Sequence, residues 1–277
     1  MLPIDLRGAA GRLENIVVAL QIVQLHFRAD PVFRFEELKA KIESILGEAV
    51  DTAGKEGTWL ILHVNHSNKC GEESLPAQTT LMKTEDPGPL KNPQILQQSW
   101  SCGDAVERLE GGTHALLVTE MMARALPPPE RVESFHGVLR AVTELTSPTA
   151  MVFIHGQQVV APEDYLQACD QPPMLRPGAL NVRFFNIADS DGDMLMDTRG
   201  LNELGLPDLQ CHFRELDPSE VAQVLFNTAY YIFENGPVIE PGQTVSGTLP
   251  ESRWVCQYED ALMGPERVLW GTDSVWY

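Results

Sequence analysis

The chain has 277 residues, of which 43% are hydrophobic, and its formal net charge is -19. The apolar content excludes a disordered or fibrous chain, and the length suits one large domain or two closely packed halves. Residues 1–150 hold 14 basic and 20 acidic side chains, and residues 151–277 hold 6 and 19, so the halves carry -6 and -13. Such a field repels phosphate backbones and anionic lipids. It therefore argues against nucleic-acid and membrane partners and favours a basic protein or a cation. The alternative is that the charge is only the acidic surface of a soluble protein.

The cysteines and the apolar runs indicate a cytoplasmic protein. The cysteines are Cys70, Cys102, Cys169, Cys211 and Cys256, an odd number, widely spread and without a C-x-x-C pair. Free thiols in a reducing cytosol are the simplest explanation. The N-terminal residues lack the basic start and apolar core of a secretory signal, and the apolar run 16–27 is interrupted by Gln21 and Gln24.

Apolar periodicity predicts an alternation of strands and helices in the first half. Strands are expected at residues 16–27, 59–64, 78–83, 114–121 and 151–154, with a polar loop at 65–74. Helices are expected from Phe35 to Gly47, over residues 93–110, and from the Pro127–Pro129 run to Leu145. This order predicts an α+β fold with ferredoxin-like antiparallel or mixed sheets and amphipathic helices packed on one face. We expect two intimately packed halves, 1–160 and 161–277, or a single domain.

A hairpin is predicted at the centre of the second half. The apolar positions Leu180, Val182, Phe184 and Ile187 precede the acidic tip 189–193, after which Met194 and Met196 resume the alternation. Asp191-Gly192 suits a turn that needs positive φ. The aspartates at 189, 191 and 193 share the spacing of a calcium loop, but Met194 and Gly200 stand where that loop needs Gly and Glu. The tip is therefore predicted to be structural.

The residues after the hairpin carry a family resemblance. The segment Asp197-Thr198-Arg199-Gly200-Leu201, followed by Leu204 to Gln210, resembles the Thr-x-Gly-Leu, then Gly, then acidic-residue signature of the bacterial domain-of-unknown-function family DUF4261. The family's closing position carries Glu, where this chain has Asp208 or Gln210. The resemblance implies a bacterial source and a shared fold, and it implies no catalytic residue.

Polar residues beside this segment form the candidate site. They are Asp197, Thr198, Arg199, Asp208 and His212, which flank the hairpin and the turn into the last predicted helix. A sheet edge and loops at this place would build a small concave site. The alternative is structural: Asp197 and Arg199 pair locally, and Thr198 fixes the turn by bonding backbone groups.

Other candidate chemistry is weaker. His63, His66 and Cys70 offer zinc ligands within eight residues, but the two histidines would face one metal only if the strand bends at Asn65. The sequence contains no phosphate loop, dinucleotide fingerprint, nucleophile elbow or H-E-x-x-H motif, so no catalytic residue, metal or cofactor is predicted. The best helix signal is Asp217-Pro218-Ser219-Glu220, with an N-cap, a proline at the first position and a capping-box-like Glu.

These observations favour a non-enzymatic cytoplasmic binding protein that covers a basic partner, as immunity proteins and antitoxins do. The alternative is a hydrolase or metal-dependent enzyme with a site near Asp197 to His212. A buried cluster of carboxylates and histidines in a deep pocket would favour the enzyme, and an acidic surface with an apolar centre would favour binding.

Overall fold

The computed structural model describes residues 20–55, 57–70, 73–84, 93–188, 190–265 and 267–273. This part of the chain divides into two compact units, residues 20–181 and residues 182–273. The predicted strand residues 16–19 and the C-terminal Trp276 and Tyr277 lie outside the described residues. Among the described residues, no helix is both long and apolar enough to cross a membrane. The α+β class predicted from the sequence is confirmed.

The N-terminal unit contains a seven-stranded sheet and five helices. Its strands are β1 (Ile22–Phe27), β2 (Asp51–Lys55), β3 (Thr58–Cys70), β4 (Glu73–Thr84), β5 (His114–Met121), β6 (Ala150–Phe153) and β7 (Gln158–Val160). Its helices are α1 (Phe35–Leu46), α2 (Pro93–Gln97), α3 (Ala105–Leu109), α4 (Pro128–Thr146) and α5 (Pro162–Gln167).

The order of the strands is ferredoxin-like at the centre of this sheet. The strands are arranged β2-β3-β4-β5-β1-β6-β7, and every neighbouring pair is antiparallel. With α1 following β1 and α4 following β5, the four strands β4-β5-β1-β6 reproduce the β-α-β-β-α-β arrangement. Strands β2 and β3 are an additional hairpin inserted between α1 and β4.

Both faces of this sheet are covered where the helices pack. Leu38 and Ile42 of α1 and Phe135 and Leu139 of α4 belong to one apolar core that includes Leu25 of β1. The opposite face of β6 and β7 packs against the short helices α2 and α3. Side chains of a strand alternate between the two faces, so β6 contributes to both cores.

Three predictions for this unit are wrong in detail. Residues 65–70 and 73–74, which fall within the predicted polar loop 65–74, belong to the far end of the long β3–β4 hairpin. Asn65 and Ser67 are exposed there, so the apolar alternation that reveals a strand is missing. The helix predicted over residues 93–110 is two short helices, interrupted near Gly103. The segment 162–177, whose four prolines predict a loop before the central hairpin, contains α5, which Pro162 begins at the first helical position.

The C-terminal unit contains a six-stranded mixed sheet and one long helix. Its elements are β8 (Asn181–Asn186), β9 (Met194–Arg199), β10 (Asp208–Phe213), α6 (Pro218–Asn235), β11 (Thr244–Ser246), β12 (Arg253–Asp260) and β13 (Val268–Asp273). The sheet order is β11-β12-β13-β10-β9-β8, and β13 runs parallel to β10. Helix α6 packs against β9 and β10 through a buried apolar stripe that includes Val221, Leu225 and Ile232.

Two local predictions for this unit are confirmed. The β8–β9 hairpin closes with the Ile187 N–H donating to the Asp193 carbonyl at 3.0 Å, and Gly192 has φ of +83° at its tip. Because a side chain is strained at such a φ, the glycine fits the turn. Asp217 caps α6, since its Oδ1 accepts from the Ser219 N–H at 2.7 Å and the Glu220 N–H at 3.4 Å.

Candidate functional site

A buried network of charged side chains lies on one side of the six-stranded sheet. Asp197, on β9, is fully buried and accepts hydrogen bonds from two arginines. Arg183, on β8, donates from Nε to Asp197 Oδ1 at 2.7 Å and from Nη2 to Oδ2. Arg267, which precedes β13, donates from Nη2 to Asp197 Oδ2 at 2.8 Å. The predicted local pairing of Asp197 with Arg199 is therefore wrong, because both partners of Asp197 come from other elements.

Thr198 and Asp208 fix the turn between β9 and β10. The Thr198 hydroxyl donates to Asp208 Oδ1 at 3.2 Å and accepts from the Leu209 N–H at 2.9 Å. Asp208 Oδ1 also accepts from the Leu201 N–H at 3.2 Å. Gly200, between them, has φ of +134°, a conformation that L side chains rarely adopt. The structure thus confirms that Thr198 stabilises the turn through the backbone.

The second oxygen of Asp208 joins this turn to the network. Its Oδ2 lies 3.3 Å from Arg267 Nε, and the Asp208 side chain is fully buried. Burial raises the pKa of Asp208 to about 7, and Glu203 adds to the effect, while Arg267 and Arg199 oppose it. A group with this pKa changes its charge near neutral pH.

Arg199 and Glu203 complete the set. Arg199 Nη2 lies 3.3 Å from Glu203 Oε1, and Glu203 belongs to the turn that follows β9. Burial lowers the pKa of Arg199, and the neighbouring carboxylates of Glu203 and Asp208 act in the opposite direction. Asp197, Glu203 and Asp208 thus face Arg183, Arg199 and Arg267, and the network is neutral when all six side chains are ionised.

The family described as Domain of unknown function (DUF4261) matches residues 197–270. This part of the chain is similar to the DUF4261 family. The match confirms the resemblance seen in the sequence, and it extends from Asp197 past Arg267, so the segment includes most of the buried network. Neither the search of curated proteins nor the search of solved structures finds a match.

His212 lies apart from the other predicted site residues within the matched residues 197–270. Its side chain is exposed, and its Nε2 lies 3.8 Å from Asp193 Oδ2, near the base of the β8–β9 tip. Asp193 also accepts from Arg214 Nε at 2.6 Å. Both contacts turn Asp193 toward β10, and the Arg214 hydrogen bond lowers the pKa of Asp193. Asp189 lies outside the described residues, so the three-aspartate calcium arrangement is not described as a whole.

The histidines of β3 do not meet. The strand register shifts between His63 and Ser67, so β3 is irregular near Asn65, where the sequence required a bend. His63 is buried with Nε2 3.0 Å from Thr79 Oγ1, whereas the ring nitrogens of His66 lie 3.0 Å from a Glu48 oxygen and 3.2 Å from a Glu130 oxygen. Over the described parts of the chain, no group of three His, Cys, Asp or Glu side chains is arranged to hold a metal. The Cys70 side chain lies outside them.

Sequence reasoning missed four polar residues of the site: Arg183, Glu203, Gln210 and Arg267. Gln210 is paired with Asp197 across the strands and donates to Glu259 Oε1 at 2.6 Å. Gly271 leaves room for this contact, because a Cβ at Gly271 would lie 1.6 Å from Glu259 Oε1. The predicted β8–β9 hairpin is the signal that could have identified Arg183 as a partner of Asp197, whereas Arg267 lies 70 residues away and has no local signal.

The arrangement holds backbone segments in place. Thr198 carries the hydroxyl group of the network, which is a possible nucleophile. This hydroxyl already donates to the Asp208 carboxylate and accepts from the Leu209 N–H. A buried ion network contributes little net stability relative to apolar packing, but removing one partner is costly because the other charge stays buried. The network therefore serves to specify one arrangement of the strands and loops that it joins.

Proposed function

We propose that the protein is a non-enzymatic cytoplasmic binding protein that covers a basic protein partner. The observation that carries this proposal is the distribution of charge over the C-terminal unit. Three of its five arginines, Arg183, Arg199 and Arg267, have buried side chains and form ion pairs within the network. They do not neutralise the surface, because each of them faces a buried carboxylate.

The surface of this unit is therefore strongly acidic. Its exposed acidic residues are Asp191, Glu215, Asp217, Glu220, Glu234, Glu240, Glu251 and Asp260, against the exposed basic residues Arg214 and Arg253. Eight negative charges against two positive charges attract a basic protein over a distance of about 10 Å at 0.1 M salt. The same field repels nucleic acid and anionic membranes, which we exclude as partners.

An immunity or antitoxin type of protein fits these properties, because such proteins act by covering a basic partner. The proposal is supported by the acidic surface. It is also supported by the hydrogen bonds and ion pairs that already occupy the buried candidate site residues. Asp197, Thr198 and Asp208 have no exposed surface, so a substrate would reach them only after a rearrangement. The free, buried thiols of Cys102, Cys169, Cys211 and Cys256 are consistent with a reducing cytosol.

The test is a salt-dependent association experiment. The full chain is immobilised, and bacterial cytosol is passed over it at low salt. We expect one protein of high isoelectric point, whose association rate falls steeply beyond about 0.1 M salt. A variant with Glu220→Gln, Glu234→Gln and Glu240→Gln should associate more slowly, whereas His212→Gln is the matched exposed control. Capture of no protein, together with a small-molecule turnover abolished by Asp197→Asn, would instead establish the enzyme.

A further inference from the structure

Side chains of the buried network form hydrogen bonds with the backbone of the loop between β12 and β13. We define this loop as residues 261–265, Ala-Leu-Met-Gly-Pro. The Gln210 side chain fixes its first part, because Gln210 Oε1 accepts from the Leu262 N–H at 3.0 Å and Gln210 Nε2 donates to the Asp260 carbonyl at 3.2 Å. One amide thus binds a backbone donor within the loop, at Leu262, and a backbone acceptor immediately before it, at Asp260.

Two arginines fix the rest of loop 261–265. Arg183 Nη1 donates to the Gly264 carbonyl at 3.0 Å. Arg267 Nη1 donates to the Met263 carbonyl at 3.0 Å and the Pro265 carbonyl at 3.1 Å. Both guanidinium groups also bind Asp197, so their orientation is set by a fully buried carboxylate. Charged donors form the stronger hydrogen bonds of proteins, and these bonds restrain three successive carbonyl groups.

Loop 261–265 buries little of its own apolar surface, since Ala261 and Met263 are only partly buried. Leu262 is 62% exposed, and Gly264 and Pro265 are exposed as well. A loop that packed its own apolar residues into the core would be ordered by burial. Here a buried charged network orders the backbone, while the Leu262 side chain faces solvent. A partner could therefore bury this side chain on binding and gain the corresponding hydrophobic free energy.

We propose that loop 261–265 is a preorganised docking element, which inserts Leu262 into an apolar pocket on the basic protein partner. This inference rests on the proposed function and names the contact centre of the binding surface. Asp260, immediately before the loop, is exposed and acidic, and Glu259 is partly exposed beside it. The contact therefore combines an apolar anchor with negative charges at its edge, and the matching pocket is apolar with basic residues around it.

Preorganisation gives the physical reason for the network. Binding normally costs free energy to order a flexible loop, and a loop already held in one conformation avoids that cost. Apolar anchors that are fully buried on binding supply most of the affinity of an interface, while charges at its rim mainly raise the association rate. We therefore expect Leu262 to determine mainly the affinity and the acidic residues mainly the association rate, and these two quantities can be measured independently.

The first experiment locates the contact. Leu262→Cys is labelled with a benzophenone maleimide, and the full chain is irradiated in bacterial cytosol at low salt. Val255→Cys, at a position 50% exposed on β12, is the matched control. We expect one crosslinked protein with an isoelectric point above about 9 from position 262, lost at high salt, and none from position 255. A crosslink between two copies of this chain would overturn the proposal in favour of self-association.

The second experiment measures the contact with the purified partner. Leu262→Ser should weaken equilibrium binding by about tenfold or more through faster dissociation, as expected for a central anchor, and Val255→Ser should leave it unchanged. Gln210→Ala should increase hydrogen exchange of the Leu262 amide and weaken binding while the fold is kept. If the basic partner binds Leu262→Ser as tightly as the unmodified chain, the docking loop is refuted and the proposed function stands. If neither capture nor crosslinking yields a basic protein, both are refuted.

Discussion

Acid should destabilise the N-terminal unit through three buried histidines. His26 and His63 are each 1% exposed, and His136 is 2% exposed. Burial lowers the pKa of His26 to about 4 and the pKa of His136 to about 3, because the imidazolium form loses its hydration. For His63, burial first and the neighbouring His66 second lower the pKa to about 4.

The direction of the effect follows from linkage. Above pH 6.5 these histidines are neutral in the folded and the unfolded chain, so they add no pH dependence. Below pH 6.5 the unfolded chain binds protons that the folded chain does not bind, so the free energy of unfolding falls. The fall continues until the pH reaches the folded pKa values near 4 and 3.

The magnitude can be worked out at pH 5.5, one unit below the unfolded pKa. Since one pKa unit corresponds to about 1.4 kcal/mol, each histidine costs about 1.4 kcal/mol and the three together about 4 kcal/mol. This is a large share of the roughly 5–15 kcal/mol that stabilises a typical domain. The unit should therefore unfold at a much lower urea concentration at pH 5.5 than at pH 7.5.

Pulse proteolysis in urea at the two pH values measures this, with peptides of residues 20–181 quantified by mass spectrometry. His26→Gln or His63→Gln should each reduce the difference between pH 7.5 and pH 5.5 by about 1.4 kcal/mol, even if the variant is less stable at both. His212→Gln, whose side chain is exposed, is the control and should leave the difference unchanged. If the difference in unfolding free energy between pH 7.5 and pH 5.5 is as large in both His26→Gln and His63→Gln as in the unmodified chain, these residues do not cause the acid sensitivity.

Four further predictions concern single features. Asp217→Ala should cost about 1 kcal/mol in thermal or urea unfolding, because two N–H groups at the start of α6 lose their acceptor; no loss would show that the cap is not stabilising. Arg131→Met should cost about 3–5 kcal/mol, since it leaves the buried Glu120 carboxylate without its bidentate partner, and Glu120→Leu in addition should recover much of that loss. The C-terminal unit should gain stability as the pH falls from 8 toward 5. The pKa of Asp208 is raised to about 7 in the folded state, so the folded chain binds this proton more tightly than the unfolded chain. Peptides of residues 182–273 in the proteolysis experiment measure this gain in stability. Calcium should leave the melting temperature unchanged, and a rise that disappears in Asp191→Asn would contradict the structural role of the hairpin tip.

Elements with a local signal could be predicted from the sequence. The cap of α6 and the β8–β9 hairpin depend on residues within a few positions of one another, and both are confirmed. The far end of the β3–β4 hairpin could not be predicted, because its exposed polar residues carry no apolar period. Strands β2 and β11 were missed for a similar reason, since they are short, largely exposed edge strands.

The candidate site was only partly accessible to sequence reasoning. Asp197, Thr198, Arg199 and Asp208 are brought together as a group, while His212 lies elsewhere. Arg183, 14 residues from Asp197 in the chain, reaches it across the predicted β8–β9 hairpin. Arg267 is 70 residues away, and only the sheet order places it beside Asp197. An isolated sequence contains the charges, but the pairing depends on β13 lying beside β10.

The position of β13 also dictates how the C-terminal unit must assemble. This strand lies between β12 and β10, so before it docks the sheet consists of two separate pieces, β11–β12 and β8–β9–β10. During synthesis, residues 182–260 would have left the ribosome with both inner edges unpaired, and open strand edges favour pairing with other chains. Arg267 enters at the same step, so before the sheet closes Asp208 lacks Arg267 and Asp197 is paired with Arg183 alone. We therefore expect the pairing of β13 with β10 to be the slow, long-range event in folding, with the greatest risk of aggregation just before it.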